Sequence, residues 1–207
     1  RANILHKEKN YTASAKYLKL ANKLKFDVKP SNSELILNKS NVLLIETEKE
    51  ELNRMAFRKY PESIFIVGMT RSGSTLVESI ISMNTLVEDL GEVNILEESF
   101  LEQKTLNPEL TLAEKYWKKI KDLKKQSNIT TNKNLYNYQY TGIIAKRIPN
   151  AKIIHCYRNP LDNILSIYRA HFTTGNKYSS SLIDSAKVYL NQDKVMTEFK
   201  HKFRSKI

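Results

Sequence analysis

Ser63-Ile-Phe-Ile-Val67-Gly68-Met-Thr-Arg71-Ser72-Gly73-Ser74-Thr75 decides the architecture. Ser63–Val67 is a short β-branched and aromatic run bounded by Pro61 and Gly68, the signature of a buried strand. Thr75 opens a helical pattern, expected over 75–83 with Leu76, Ile80 and Met83 turned inward. Between strand and helix the spacing is G-x-x-x-x-G-x-[ST], a phosphate-binding loop in the context that such a loop requires. Backbone N–H groups can wrap an anion there, and the helix N-terminus adds orphan donors and partial positive charge. The residue before Thr75 is Ser74, where a nucleoside triphosphatase carries the lysine for its β- and γ-phosphates. Arg71, inside the loop, can supply a planar, permanently charged fork instead.

A second cluster follows a second strand, Ala151-Lys-Ile-Ile-His-Cys156-Tyr157, and reads Arg158-Asn159-Pro160-Leu161-Asp162, with Ser166 further along. Arg158 falls at the C-terminal end of that strand, where open α/β sheets bind ligands. Pro160 fits the first turn of the following helix. Further helices are expected over 34–46, 92–103, 112–125, 138–147, 161–171 and 181–202, with Thr130-Thr131 ending a short strand. Strands alternating with helices predict an α/β fold: a three-layer sandwich around a parallel sheet.

Outside this region residues 1–26 read as helical, with Ala15, Tyr17, Leu18, Ala21 and Leu24 on one stripe. Lys29-Pro30-Ser31-Asn32-Ser33 breaks the pattern, and Ser33 is placed to cap the next helix. The expected division is a helical segment over 1–59 and an α/β domain over 60–207.

The chain has 207 residues and a formal net charge of +12. Residues 1–59 hold 13 Lys and Arg against 7 Asp and Glu, residues 60–110 hold 2 against 9, and residues 111–207 hold 19 against 6. Most of these lysines read as solvated helix faces. No apolar run approaches the roughly 20 residues of a membrane span. The single cysteine, Cys156, forms no internal disulfide and reads as a small core residue. His6, His155, His171 and His201 show no paired metal spacing, and no G-x-S-x-G elbow occurs. The chain opens at Arg1 and closes at Ile207 within a basic helical pattern, which reads as a fragment.

Taken together the two clusters resemble sulfotransferases that use 3′-phosphoadenylyl sulfate, especially bacterial enzymes with tetratricopeptide repeats and the related tyrosylprotein sulfotransferases. That family's 5′-phosphosulfate loop reads like G-x-P-R-S-G-[ST]-T-L, beside Gly68-Met-Thr-Arg-Ser-Gly-Ser-Thr-Leu76 here. Its 3′-phosphate motif reads like an apolar strand, R-[DN]-P-x-[DA], then a serine eight residues after the arginine, matched by Arg158 and Ser166. Leu90-Gly91-Glu92, Thr131-Asn132-Lys133-Asn134, Pro149-Asn150-Ala151-Lys152 and Gly175-Asn-Lys-Tyr-Ser resemble smaller family segments. Thr70 departs from the usual proline and Leu161 from a common arginine. A family arginine falls at Ala170, next to Arg169, and the family normally continues past the helix ending near Ile207.

The resemblance implies transfer of a sulfuryl group from 3′-phosphoadenylyl sulfate to a hydroxyl acceptor (a small molecule, a carbohydrate or a protein tyrosine) without a metal. It implies that Arg71, Ser72, Gly73, Ser74, Thr75 and Leu76 hold the 5′-phosphate end, with Arg71 also acting in catalysis. It implies that Arg158 and Ser166 hold the 3′-phosphate, Glu92 is the general base, and Lys133 stabilises the leaving group. Asn10-Tyr11 through Ala21-Asn22 resembles the last unit of a tetratricopeptide array, a surface for a protein partner. Nucleic acid is not an expected partner, and a cytoplasmic setting is expected, with any leader lying upstream of Arg1. Two other readings compete: a P-loop small-molecule kinase, which needs a phosphate-loop lysine or a substitute, and a non-catalytic helical-repeat or basic nucleic-acid-binding module.

Overall fold

The computed structural model describes residues 1–49, 61–105, 110–123, 127–172 and 175–207. In chain order the helices before the first strand are α1 (Ala2–Lys7), α2 (Tyr11–Val28) and α3 (Glu34–Lys49). There follow β1 (Glu62–Gly68), α4 (Ser74–Ile81), β2 (Val87–Asp89), α5 (Ile95–Thr105), α6 (Leu112–Asp122) and β3 (Ile129–Asn132). A 3₁₀ turn (Leu135–Tyr140), α7 (Thr141–Arg147), β4 (Ala151–Cys156), α8 (Pro160–Arg169) and α9 (Leu182–Lys202) complete them. Two compact units result: Lys39–Arg158 with Gln192–Ile207, and Arg1–Asn38 with Asn159–Asn191. The expected division at 59/60 lies outside the described residues.

The first unit holds the sheet. Its four strands are parallel, in the order β2-β3-β1-β4. Helices cover both faces, so the fold is the expected α/β three-layer sandwich. β1 is central and buried along nearly its whole length, which is why it reads as an unbroken apolar run. Phe65 and Val67 of β1, Tyr116 and Trp117 of α6, Ile143 and Ile144 of α7 and Phe199 of α9 belong to one apolar cluster. Tyr116 meets Phe65 in a tilted contact with ring centres 5.5 Å apart and Trp117 edge-to-face at 5.3 Å. A capping box of Thr111 and Glu114 starts α6, satisfying two orphan donors reciprocally.

β3 departs from this apolar pattern. Thr130, Thr131 and Asn132 are all fully buried, and each of these polar side chains is paired. Thr130 Oγ1 lies 3.1 Å from Ser63 Oγ, Thr131 Oγ1 donates to Glu78 Oε1 at 2.9 Å, and Asn132 Nδ2 donates to the Tyr116 hydroxyl at 3.4 Å. Buried polar groups are tolerated on those terms. β2 was not anticipated: it has three residues, two of them acidic, and is held at the sheet edge by its register with β3.

The second unit packs the N-terminal helices against the segment after β4. Asn22 Nδ2 donates to the Tyr168 carbonyl at 2.9 Å, Lys25 Nζ to Ser179 Oγ at 2.8 Å, and Ser33 Oγ to Asp184 Oδ1 at 3.1 Å. The Ser33 hydroxyl is thereby directed to Asp184. The expected helix over 1–26 is two helices, broken where Lys9 takes a positive φ of 61°. The expected inward stripe on α2 is also corrected. Ala15, Ala21 and Leu24 are exposed, while Ser14 and Asn22 are buried. Asn22 turns inward because its amide has a carbonyl of α8 to meet.

A similar correction applies to α4. Leu76, Ile80 and Met83 are exposed, at 66%, 58% and 80%, and the inward side chains are Ser74 and Glu78. The face was chosen by a polar contact with β3 rather than by the apolar stripe. Residues 138–140 are 3₁₀ rather than α-helical.

Candidate functional site

Parallel pairing aligns the C-terminal ends of three strands. Gly68 is level with Cys156 and Phe65 with Asn132. The loop after β1 therefore leaves the sheet between Lys133, which follows β3, and Arg158, which follows β4. Adjacent strands are about 4.8 Å apart, so these groups share one edge of the sheet.

The loop is built from backbone conformations that side-chain-bearing residues avoid. Gly68, Arg71 and Gly73 have φ of 142°, 67° and 94°. A Cβ on Gly68 would stand 2.1 Å from the Cys156 carbonyl oxygen, so only glycine allows β1 and β4 to stay paired to their ends. Arg71 holds a left-handed conformation at a cost of about 1–2 kcal/mol, strain of the kind stored at ligand-binding turns. Gly73 stands at the N-cap of α4, and no side chain caps that helix start. Alternating positive φ values produce a concavity of N–H groups suited to an anion. Ser72 Oγ is buried and finds no hydrogen-bond partner among the described residues. A buried hydroxyl left unpaired costs about 1–3 kcal/mol, so this atom is available to an incoming polar group. Ser74 is 5% exposed at the first position of α4, Thr75 is exposed, and Leu76 stands on the exposed face.

On the β3 side a charged group is assembled. Lys133 is 6% exposed, and its Nζ lies 2.7 Å from Glu92 Oε1 and 3.9 Å from Glu78 Oε2. Glu92 stands on the segment between β2 and α5. That segment is tied down by Leu90 N–H donating to the Thr131 carbonyl at 3.1 Å and Lys133 N–H to the Gly91 carbonyl at 2.8 Å. The Glu92 side chain is 69% exposed while that of Glu78 is 8%. The lysine thus bridges a buried carboxylate and a solvent-facing one. Next along the chain from Lys133, Asn132 donates to the Tyr116 hydroxyl, as Ser63 does, and burial pushes the Tyr116 pKa up to about 12.

On the β4 side Arg158 is exposed at the strand end. Asn159 caps α8, accepting from the N–H groups of Leu161 and Asp162 at 3.0 and 3.2 Å, and Pro160 takes the first turn. Ser166 stands half-buried on α8 in the second unit. Burial raises the Cys156 thiol, consistent with a core residue rather than a nucleophile.

Sequence reasoning had placed Glu92 and Lys133 in separate roles without pairing them, and had missed Glu78. The available signal was its spacing: Glu78 follows Ser74 by four residues and so shares its helix face.

A strand–loop–helix unit at the carboxyl edge of a parallel sheet, its loop rich in positive φ, defines an α/β protein of the kind whose sheet edge is suited to an anionic group. The chain belongs to the sulfotransferase family: the profile of that family matches residues 99–206, more than half of the chain. The match takes in Lys133, Arg158 and Ser166, and the phosphate loop and Glu92 precede it. An uncharacterized protein of Aquifex aeolicus (strain VF5) is 28% identical over 177 residues, covering 74% of this chain and 23% of the relative. The chain therefore spans about a quarter of the length of that relative. Among the described residues no helix is long and apolar enough to cross a membrane, and no group of three or more His, Cys, Asp or Glu is placed to hold a metal ion.

Proposed function

We propose that this chain carries the donor site and catalytic groups of a sulfotransferase using 3′-phosphoadenylyl sulfate and a hydroxyl acceptor. The observation that carries the reading is the phosphate loop with Ser74 in the lysine position and an unpaired buried hydroxyl at Ser72. Such a loop suits one phosphate bearing a few oxyanions better than a metal-bridged triphosphate. The residues present fit the donor.

When bound, the donor supplies an activated sulfuryl group and the bisphosphate leaving group. The loop N–H groups from Ser72 to Thr75, the Ser72, Ser74 and Thr75 hydroxyls and Arg71 hold the 5′-phosphate end, with Leu76 beside them. Arg158 takes the 3′-phosphate, and the resemblance adds Ser166 as its hydroxyl partner. Glu92 accepts the acceptor's proton as the new O–S bond forms and the bridging S–O bond breaks. Lys133 and Arg71 neutralise the charge that develops. A positioned base contributes about 10²–10⁴ in rate, and fixed charges at the leaving oxygen act without reorganisation. Neither role requires a metal. The segment 1–59 reads as the end of a tetratricopeptide-like array for a protein partner, in a cytoplasmic enzyme.

Calorimetry on the complete protein with adenosine 3′,5′-bisphosphate, AMP and ATP tests the reading. Binding of the bisphosphate well ahead of the other two, unaffected by EDTA, is the expected outcome. A preference for ATP that needs Mg²⁺ would favour a kinase instead.

A further inference from the structure

We propose that Glu78 is a positioning residue that holds the Lys133 ammonium at the leaving-group side of the site. The inference rests on the role given to Lys133 above. Glu78 is 6% exposed on a helix whose Leu76 and Ile80 are left to solvent. A buried carboxylate on a helix with an exposed apolar stripe is costly unless its partners need it there. Among the described residues it has two partners. Oε1 accepts from Thr131 Oγ1 at 2.9 Å, which fixes the carboxylate's rotation, and Oε2 faces Lys133 Nζ at 3.9 Å. Thr131 and Lys133 are separated by one residue on the chain leaving β3, so strand and helix grip the same carboxylate.

The consequence is a division of labour between two glutamates on one lysine. Glu92 is solvent-facing and free to exchange its contact with Lys133 for an acceptor. Glu78 is enclosed and stays. When Glu92 releases the ammonium to take up a proton, Glu78 keeps a countercharge behind Lys133 and holds it at the site.

The test uses the complete protein with Glu78→Gln, Thr131→Val, Lys133→Ala and the Glu78→Gln/Lys133→Ala double variant. Acetylation of Lys133 by an amine-reactive reagent, followed by peptide mass spectrometry without nucleotide, reads the hold on the lysine directly. Relative to the other lysines it should rise about fivefold or more in Glu78→Gln, as a lost charged contact implies, and less in Thr131→Val. Adenosine 3′,5′-bisphosphate Kd should stay within about threefold while kcat falls about 10–100-fold, and the double variant should be no slower than Lys133→Ala alone. Should Glu78→Gln fail to fold, the Thr131→Val acetylation rate decides by itself. Unchanged Lys133 reactivity, or losses that multiply in the double variant, would overturn the proposal. A wild-type chain that neither binds the bisphosphate nor transfers sulfuryl groups, yet shows Lys133 reactivity controlled by Glu78, would sink the proposed function and leave the positioning role standing.

Discussion

Lys133 Nζ and Glu92 Oε1 are 2.7 Å apart, so the two groups assigned the leaving-group and base roles neutralise one another when no substrate is present. The contact is cheap to break. Glu92 is largely exposed, so water can take its place, and Glu78 still faces the buried ammonium at 3.9 Å when Glu92 lets go. If Glu92 is the base, Glu92→Gln keeps its shape and its capacity to accept from Lys133 while removing proton affinity. Bisphosphate affinity should barely change and kcat should fall about 10²-fold or more. Glu98→Gln is the control: Glu98 is exposed on α5, where it meets Lys119 at 3.3 Å, and it should stay near wild type. Retained kcat in Glu92→Gln would move the base elsewhere; lost nucleotide binding would make Glu92 structural.

Gly68 and Gly73 both have positive φ, but they differ in what surrounds them. A Cβ on Gly68 meets the Cys156 carbonyl at 2.1 Å, whereas nothing stands within 4 Å of one on Gly73. Gly68→Ala must push β1 from β4 as well as strain the backbone, and should cost about 3 kcal/mol or more. Gly73→Ala meets strain alone, about 1–2 kcal/mol. Urea unfolding of both variants measures the difference, and equal losses would show that the β1–β4 pairing yields easily at its end.

The strand–loop–helix around Gly68–Ser74 and the Arg158 turn were legible in the sequence because both are local. Strand, turn glycines and helix start lie within a dozen residues, and their spacing encodes the geometry. The inward faces of α2 and α4 were not legible. Asn22 and Glu78 turn inward to meet groups more than 50 residues away, Tyr168 and Thr131, and helical periodicity carries no record of such partners. β2 escaped for a related reason: Val87–Asp89 has little strand propensity of its own and exists through its pairing with β3. The Glu78–Lys133–Glu92 group could be guessed only in pieces, because it joins three separate stretches of chain.

Arg158 is exposed at the end of β4, so removing its side chain should leave the fold intact. Arg158→Ala should weaken adenosine 3′,5′-bisphosphate binding by about 1.5–3 kcal/mol, the worth of a hydrogen bond to a charged group. AMP, which lacks the 3′-phosphate, should lose little. Arg158→Lys should recover only part of the difference, because a single ammonium does not reproduce a planar fork. Paired calorimetric titrations decide it, and equal losses for the two nucleotides would take Arg158 out of the 3′-phosphate site.

His155 gives the fold a pH dependence whose sign follows from its surroundings. It lies on β4, its ring tilted against that of Tyr157 with centres 6.0 Å apart, with Gln192 at Nε2 and Nδ1 buried without a partner among the described residues. Burial first, then the charge of Lys200, lowers its pKa to about 4, with the Gln192 contact acting in the opposite sense. In the unfolded chain the imidazole titrates near 6.5. Between these two values the unfolded state binds more protons than the folded one, so stability rises with pH. The contribution is complete above pH 6.5 and is lost as pH falls toward 4. His155→Gln removes the titration and can keep a polar contact with Gln192. Urea unfolding at pH 7, 6, 5 and 4.5 should show wild type losing more stability than the variant, by on the order of 1–2 kcal/mol once solvent at the exposed part of the ring is allowed for. Carboxylates titrate in the same range, so the comparison is the difference between the two proteins at each pH. Parallel curves would mean that the fold accepts a charged His155 beside Lys200 without penalty, and that the low pKa does not hold.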